Sequence, residues 1–497
     1  MGETLRVAAV DLGATSGRVM TGEVGADRLV LEEARRFPNG PVEAPHDGGS
    51  TLLWDILGMY REMLTGLRHA HATGRVDGIG IDSWAVDYGL LARDGTLLGN
   101  PVCHRDPRTD GVMDEVLEVV SRRQMFDVTG LQQLPFNTAY QLVAARGTPA
   151  LDAAHTLLLL PDLLGYWLTG RRVAEATNAS TTQLYDVRKR SWATGLARRL
   201  GIPADILPPL REAGDVVGDV LPSVASELGV EGTGPVVAVG SHDTASAVVG
   251  VPMEPGSNSA YISSGTWSLV GVELEEPVLT DSAMEANFTN EGGVDGTIRF
   301  LRNVTGLWAL SETMRAWELA GAPADLPTLL AQASDVPPLR CVVDIDAPAF
   351  RAQGDMTRRI EDACRAGGQR PPATRAELTR CILDSLALAY RRNIRLAAAL
   401  SGHDVDVVHV VGGGALNALL CQLTADACGM PVLAGPAEAT ALGNVLVQAR
   451  TLGAPLPDLA SMRDLLRRTQ RMWRYEPATG DARWEEAENR MKAAVPE

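Results

Sequence analysis

Hydrophobic and polar positions along the chain follow two periods. VAAVDL (7–12) is a short apolar run of the kind that forms a buried strand, DLGATSG is a turn of small polar residues, RVMTGEV (18–24) alternates, GAD turns, and RLVLEEARRF (28–37) alternates again. Successive side chains of a strand point to opposite faces, so these segments predict an antiparallel meander with an acid, Asp11, at the end of its first strand. Residues 52–72 place apolar side chains at helical spacing. GIGIDSWAVDYGLL (78–91) predicts another strand, with an acid-bearing turn from Asp82 to Asp87. From 107 to 230 the pattern is mainly helical, broken by loops at Gly130, Pro135, Gly147, Pro149, Gly170 and the PPL of 208–210. PVVAVGSHDTASAVVG (235–250) predicts a buried strand that ends in Ser241-His242-Asp243-Thr244 and continues as a helix.

The opening pattern then returns. SAYISSGTWSLVGVELEE (259–276) is again strand, small-residue turn, strand, and TIRFLRN (297–303) supplies a third strand. VDVVHVVGGGALNALLCQLTADACG (405–429) reads as a buried strand, a glycine turn and an amphipathic helix. Two halves that begin with the same hairpin suggest a duplicated domain with a cleft between the copies and a boundary near residue 250.

Length agrees with that division, since 497 residues exceed what one core serves. A formal charge of -17 argues against a polyanion such as nucleic acid as the main partner. Among the basic residues only Lys189 and Lys492 are lysines, and neither follows a glycine-rich loop. A Walker A phosphate loop requires G-K-[ST] and is therefore excluded; Schiff-base chemistry has almost no lysine to use. None of the six cysteines forms C-x-x-C, which removes zinc-ribbon and thioredoxin-like sites. Mostly free thiols are expected, although Cys364 and Cys381 flank a Pro/Gly-rich connection and could face one another as a disulfide. The N-terminal apolar run stops at Asp11, and HTLLLLPDLLGYWLTG is interrupted by Pro161 and Asp162, so a secretory signal and a membrane span are not expected. A cytoplasmic protein, monomer or homodimer, follows as the expectation.

Candidate chemistry lies in the turns. In DLGATSGR (11–18) consecutive backbone N–H groups and the hydroxyls of Thr15 and Ser16 can hold an anion, and Asp11 suits a hydrated Mg²⁺; an ordinary hairpin turn is the alternative. SSGTWS (263–268) repeats the device, and two such hairpins suit the tail of a nucleotide. Three glycines from Gly412 allow close backbone approach to a flat ligand, while the dinucleotide fingerprint fails at Asn417, and at Ser83 in the other near match. Asp243 is either a helix cap or a general base in a cleft. Arg105, Asp106 and Arg108 of HRDPRT either bind substrate or form an ion-paired surface loop. G-x-S-x-G and H-E-x-x-H are absent, and the eight histidines are scattered.

These pieces in this order resemble the FGGY carbohydrate kinases, from Val7 to about Arg450. The stretches that carry the resemblance are VDLGATSGRVM, IGIDSWAVDYGLL, GNPVCHRDPRT, LPFNTAYQL, LLLLPDLLGYWLTG, EATNASTTQLYD, GSHDTASAV, YISSGTWSLVG, NEGG, RNVTGLW and VVGGGALNALLCQLTADACG. The resemblance implies an α/β fold of two duplicated ribonuclease H-like domains, of the actin and hexokinase type, around a central cleft. An N-terminal kinase domain would span 1–250, a nucleotide-binding C-terminal domain 251–455, and a helical tail 456–497. It implies ATP and Mg²⁺ as cofactors and a small sugar as substrate. Asp243 matches the catalytic base, and Asp11 matches the acid that positions Mg²⁺ through water. Ala14, Thr15, Ser16, Gly17 and Arg18 match the first phosphate hairpin. Thr266, Ser311 and Gly413 match nucleotide contacts, and Ala85, His242, Asp243, Thr244 and Asn303 match sugar contacts.

Within the family the resemblance is strongest to the branch that phosphorylates L-rhamnulose at its 1-hydroxyl. The chain departs from that branch at Ala85, where glycine is usual, and at Ser311, where a nucleotide-contacting glutamine is usual. Kinases of the same family acting on L-fuculose, L-xylulose or another ketose or polyol form one alternative. An actin-like ATPase or partner-binding module forms another.

Overall fold

The N-terminal period-2 segments form the expected meander. β1 (Leu5–Leu12) pairs antiparallel with β2 (Ser16–Gly25), which pairs antiparallel with β3 (Arg28–Pro38). β4 (Ile79–Ser83) lies parallel to β1, and β5 (Val236–Val237) parallel to β4. Val216–Gly218 extends this sheet beyond β5, giving the order Val216–Gly218, β5, β4, β1, β2, β3. β1 is a central strand, so its last six residues are all buried, which is why it reads as an unbroken apolar run.

The second half repeats the plan. β6 (Ser259–Ser264) pairs antiparallel with β7 (Ser268–Leu274), with β8 (Ile298–Val304) on β7's other side. β9 (Val407–Val411) lies parallel to β6, and β10 (Val432–Ala434) parallel to β9. Both sheets thus contain the order fifth, fourth, first, second, third strand. That order is the duplicated topology the sequence repeat implied. The computed structural model describes residues 4–351, 354–478 and 481–493; of the expected C-terminal tail, 479–480 and 494–497 lie outside these.

By its contacts the chain forms two units: Met1–Glu254, Glu273–Phe300 and Ala439–Gln470 make one, and Pro255–Val272, Leu301–Glu438 and Arg471–Glu497 the other. This grouping differs from a single cut at residue 250 followed by a tail from 456. The helix Ala439–Thr451 carries buried Leu442, Val445 and Leu446 into a core shared with Val7, Ala9, Met20 and Val24 of the first sheet. Its Gln448 donates to the Ala8 carbonyl at 3.0 Å. The following helix Leu459–Thr469 adds Met462, Leu465 and Leu466 to the same core. Tertiary burial, which a local pattern does not reveal, assigns both helices to the first unit.

Two helices in that unit cross so closely that backbone meets backbone. A Cβ on Gly443 would stand 1.9 Å from the Ser246 carbonyl oxygen, and one on Gly250 would stand 2.2 Å from that of Ala439. The helix Asp243–Val249 is thereby seated against Ala439–Thr451.

The apolar run before Pro161 is divided between two elements. Thr156–Leu159 pairs as a strand with Tyr88–Leu91, and Leu160–Thr169 is a helix whose first turn accepts Pro161. Among the described residues no helix is long and apolar enough to cross a membrane.

In the second unit the 27-residue helix Arg375–Ser401 is capped by Thr374, whose side chain accepts the Glu377 amide. Its buried Tyr390 hydroxyl lies 2.7 Å from Ser268 Oγ and 3.5 Å from Ser264 Oγ, fastening the helix under the β6–β7 hairpin. Cys364 and Cys381 do come together there, with a third cysteine the spacing did not indicate. Their sulfurs and that of Cys341 lie within 4.8 Å of one another, all buried and all as free thiols.

Gly443→Ala should lower stability by about 1–3 kcal/mol, because the added methyl meets fixed backbone and not a side chain that can rotate away. A fall in the apparent melting temperature of the purified chain checks this; an unchanged transition would show that the two helices are free to move apart.

Candidate active site

The strand pairings of the first unit set the charges of the site. Asp11 is opposite Arg18 across the β1–β2 hairpin and opposite Asp82 across the parallel β1–β4 pair. Residues in register on neighbouring strands face the same way, so Arg18, Asp11 and Asp82 stand in a row on one face. Arg18 forms an ion pair with Asp11 Oδ2. Asp82 is fully buried and accepts Asn444 Nδ2 at 2.5 Å through Oδ2, whereas its Oδ1 has no hydrogen-bond partner. Its pKa is pushed well above the ordinary carboxylate value, first by burial and then by the negative charges of Asp11 and Asp243, with Asn444 and Arg18 opposing.

Asp243 completes this acidic group. The backbone brings it close through the Ser83 amide, which donates to the Ser241 carbonyl at 3.0 Å, and the Trp84 amide, which donates to that of Leu12 at 3.3 Å. Of the two sequence readings of Asp243, the helix-cap reading does not describe its place. The cap is His242, which makes no side-chain cap bond, and Asp243 is the first helical residue. Its side chain keeps 31% of its surface exposed and accepts the Thr244 hydroxyl at 3.1 Å. Surrounding protein raises its pKa, and Asp11 raises it further, while His242 and Thr244 pull the other way. A carboxylate of raised pKa is a stronger base and suits proton abstraction.

Two buried acids that the sequence reading did not single out hold this strand end in shape. Glu175 accepts the Thr177 and Asn178 amides, the Thr177 hydroxyl, and both the amide and hydroxyl of Ser241, at 2.6–3.2 Å. Glu291 lies 3.3 Å from His242 Nδ1 and 3.1 Å from Arg299 Nη1. Asp87 is a third such residue, noted in sequence only as the end of a turn. It accepts Trp54 Nε1 at 2.7 Å, Trp84 Nε1 at 2.9 Å and Gln141 Nε2 at 3.2 Å, and pairs with His104 Nδ1 at 2.8 Å. Burial opposes its ionisation, but His104 and the two indoles outweigh this and lower its pKa.

Ala85 sits in the turn between β4 and Asp87, half-buried, beside Trp84 and Val86. Val86 has φ 70°, a left-handed conformation that a β-branched residue rarely adopts. Its carbonyl accepts the Thr138 hydroxyl at 2.7 Å and Gln141 Nε2 at 3.3 Å, which hold the turn in that shape. In the HRDPRT loop, Asp106 differs from the reading of an ion-paired surface loop. Asp106 is buried, accepts the Leu52 and Arg108 amides, and braces the loop from inside, while Arg108 donates to Gln141 at 2.9 Å.

Ala14 and Thr15 form the tip of the first hairpin, and Ser16, Gly17 and Arg18 begin β2. Gly13 N–H already donates to the Ser16 carbonyl at 2.9 Å, so the amides on offer are those at the tip. Gly17 serves packing: a Cβ there would stand 2.3 Å from the Phe37 ring. In the first unit the structure therefore gathers Asp11, Ala14–Arg18, Ala85 and His242–Thr244 around the carboxyl ends of β1, β4 and β5.

In the second unit Thr266 lies in the β6–β7 turn, and its carbonyl accepts the Trp308 amide at 3.0 Å. That bond sets the turn at the start of the helix Trp308–Leu319, one turn along which Ser311 is exposed. Gly306, at φ 59°, is required there, since a Cβ would come within 2.6–2.7 Å of the backbone of Thr266, Trp267 and Ser268. In the glycine turn after β9, Gly412 and Gly414 pack against Ser264, where a Cβ would approach to 2.8 and 2.0 Å. Gly413 is exposed with nothing within 4 Å of its Cβ position, and so keeps an open face. Asn303, half-buried, lies on β8.

The sequence profile of the FGGY family of carbohydrate kinases, N-terminal domain, matches residues 7–250, and that of its C-terminal domain matches 260–452. The chain is 41% identical over 490 residues to a rhamnulokinase of Bacteroides thetaiotaomicron, covering 98% of this chain and 99% of that one. It is 44% identical over 477 residues to a rhamnulokinase of Pectobacterium carotovorum subsp. carotovorum, covering 95% and 93%. Its fold matches the crystal structure of gluconate kinase from Lactobacillus acidophilus with a TM-score of 0.78 at 15% identity, over 99% of this chain and 96% of that one.

The raised pKa of Asp82 has a consequence for stability. A folded carboxyl that keeps its proton costs nothing below the ordinary carboxylate range near pH ~4 and destabilises progressively as pH climbs toward its folded value. Asn mimics the protonated acid, so the melting temperature of Asp82→Asn relative to wild type should rise from about pH 5 to about pH 8. Parallel curves over that range would contradict it.

Proposed function

Because the chain belongs to the FGGY family of carbohydrate kinases, we propose that it transfers the γ-phosphoryl group of ATP to the 1-hydroxyl of L-rhamnulose, giving L-rhamnulose 1-phosphate and ADP. Membership makes it a sugar phosphotransferase. The choice of sugar rests on the full-length relatives named rhamnulokinase, at 41% and 44% identity. The observation that carries the mechanism is the Asp243 carboxylate, partly exposed, raised in pKa and flanked by His242 and Thr244.

Phosphoryl transfer needs positioning and charge neutralisation more than covalent help. Asp243 accepts the proton of the sugar hydroxyl as that oxygen attacks phosphorus and the bond to the ADP oxygen breaks. His242, Thr244 and the Ala85 turn hold the ketose in the first unit. The aromatic pair Trp54–Trp84, with ring centroids 4.3 Å apart, gives the Ala85 turn a rigid apolar backing. Among the described residues, the side-chain hydrogen bond that Asp243 accepts comes from the Thr244 hydroxyl.

A hard divalent cation fits the donor set, since Asp11 and Asp82 stand abreast and Asp82 Oδ1 has no partner of its own. Asp11 would hold Mg²⁺ through water, and the ion would neutralise charge on the ATP phosphates. In the first unit the tip amides at Ala14–Ser16 with Arg18 suit phosphate; in the second unit, taken by itself, Thr266, Ser311 and the open face of Gly413 suit a nucleotide. Backbone amides and arginine thus do the work for which other ATP sites use lysine. We place the reaction in the cytoplasm, where ATP is supplied.

An ADP-release assay over L-rhamnulose, L-fuculose, L-xylulose and glycerol tests the sugar. The highest kcat/KM should fall on L-rhamnulose; a higher value for another acceptor reassigns the substrate, and ATP hydrolysis indifferent to every sugar returns the actin-like reading. Asp243→Ala should lower kcat by roughly 10²–10⁴-fold with ATP affinity nearly unchanged. Near-normal turnover in that variant would remove Asp243 from its role. Ala85→Gly should change KM for the ketose and leave KM for ATP as it is; a matching shift in both would place Ala85 away from the sugar.

A further inference from the structure

The second unit brings together three thiols that phosphoryl transfer does not use. Cys341 lies in the segment between the helices Leu326–Ser334 and Met356–Ala366, Cys364 in the latter helix, and Cys381 in the helix Arg375–Ser401. Their sulfurs all lie within 4.8 Å of one another, and the residues are 4, 0 and 1% exposed.

Polar clamps hold the three cysteine-bearing segments in this arrangement. The Gln369 amide donates to the Cys364 carbonyl at 2.8 Å, while the Gln369 side chain accepts the Val342 amide at 3.0 Å and donates to the Val342 carbonyl at 2.8 Å. The Ser385 hydroxyl donates to the Cys381 carbonyl at 2.7 Å and accepts the Val343 amide at 3.0 Å. Asp384 accepts the Leu339 amide at 2.7 Å, so the backbone is fixed on both sides of Cys341. A buried thiol that only fills space behaves as a small hydrophobe and needs no second sulfur beside it. Cys421 is of that kind, its sulfur lying 3.7 and 3.8 Å from the Gly414 and Ala415 carbonyls.

The three thiols also act on one another electrically. Donation from the Cys364 thiol, and then from that of Cys381, lowers the pKa of Cys341 against burial; Arg340 assists and Glu377 opposes. The pKa values of Cys364 and Cys381 are raised, first because both face Cys341. One sulfur thus carries charge and two donate to it, which is an arrangement a soft cation can replace. A metal–sulfur bond of about 2.3 Å puts three sulfurs about 4.0 Å apart around a trigonal ion, inside the separation found here. Among the described residues no fourth His, Cys, Asp or Glu atom joins the group. Structural zinc takes four ligands, whereas Cu(I) is selected by soft thiolates and is satisfied by three.

We propose that Cys341, Cys364 and Cys381 form a binding site for one soft metal ion, Cu(I), held by three sulfurs. Binding forms copper–sulfur bonds and releases thiol protons to solvent, with no electron transferred. The Arg340 and Arg365 guanidinium groups favour the thiolate forms of Cys341 and Cys364 and so ease the negative charge of the complex. The ion joins a loop to two helices and clasps the helix whose Tyr390 lies under the β6–β7 hairpin. A Cys364–Cys381 disulfide would require an oxidant and would take two of the three ligands, so it excludes the bound ion.

The test uses the full chain, reduced and kept free of oxygen, with Cu(I) as the probe, and does not depend on which sugar is phosphorylated. The chain should retain one equivalent against the chelator bicinchoninate, gain ultraviolet thiolate-to-metal charge-transfer absorption, and melt about 2–4 °C higher. X-ray absorption at the copper edge should show three sulfur neighbours and no nitrogen or oxygen. Cys341→Ala, Cys364→Ala and Cys381→Ala should each lower the affinity roughly 100-fold or more, while Cys421→Ala keeps it. Failure of the wild-type chain to retain Cu(I), or nitrogen or oxygen ligands on the bound copper, overturns the proposal even if the variants do not fold. So does an affinity that survives any of the three substitutions, or a preference for Zn(II) with a fourth ligand. A Cys364–Cys381 disulfide that forms in a glutathione buffer with Cu(I) present overturns it as well.

Discussion

The parallel pairing of the first and fourth strands puts Asp82 abreast of Asp11, and much of the site follows from accommodating two carboxylates there. Two like charges in register on a buried face cannot both be left ionised and unpaired. Arg18, opposite Asp11 on the other side, meets one charge; Asn444 meets the other acid, which holds its proton. Asn444 is anchored in turn by Gln448, whose Nε2 lies 2.6 Å from its Oδ1 and also reaches the Ala8 carbonyl. A helix whose Gln448 is 440 residues from Ala8 is thus part of the electrostatics of the first strand. The glycine contacts that seat Asp243–Val249 against it carry the same constraint to Asp243.

Around this acidic group every other charge is fixed by buried partners. Glu175 holds Ser241, Glu291 with Arg299 holds His242, and Asp87 holds two indoles and His104. Glu175 and Asp87 are each met by several donors and Glu291 by the Arg299 charge, which is the condition under which a buried charge is tolerable. The result is a rigid floor under one partly exposed carboxylate, Asp243. Rigid, pre-oriented polar groups need little rearrangement as charge develops during a reaction, and this is how such an arrangement favours transfer of a charged group.

How much of this was legible before folding depended on whether the signal was local. Asp11, the Ala14–Arg18 turn, the Thr266 turn and the Gly412–Gly414 turn stood out because small residues between apolar strands mark tight turns wherever they occur. Glu291 and Arg299 lay inside stretches noted only for their resemblance to a family, because each looks like an ordinary charged residue until its partner is known. Asp106 was read as substrate-binding or superficial and proved to be a buried brace, since the Leu52 amide it accepts lies 54 residues away. Gly17 was read for its place in a phosphate turn, and the Phe37 ring supplies a second reason for it.

Taken alone, the sequence determined the two-fold repeat of hairpin and strand, the absence of a lysine phosphate loop, and which turns are candidates for the chemistry. Period-2 and small-residue patterns are written locally, so they survive without coordinates. Only the tertiary structure decided which acids stand together, which of them keep their protons, and to which unit the helices Ala439–Thr451 and Leu459–Thr469 belong. Those outcomes depend on burial and on charges brought close from distant positions, and burial is a property of the packed chain rather than of any segment of it.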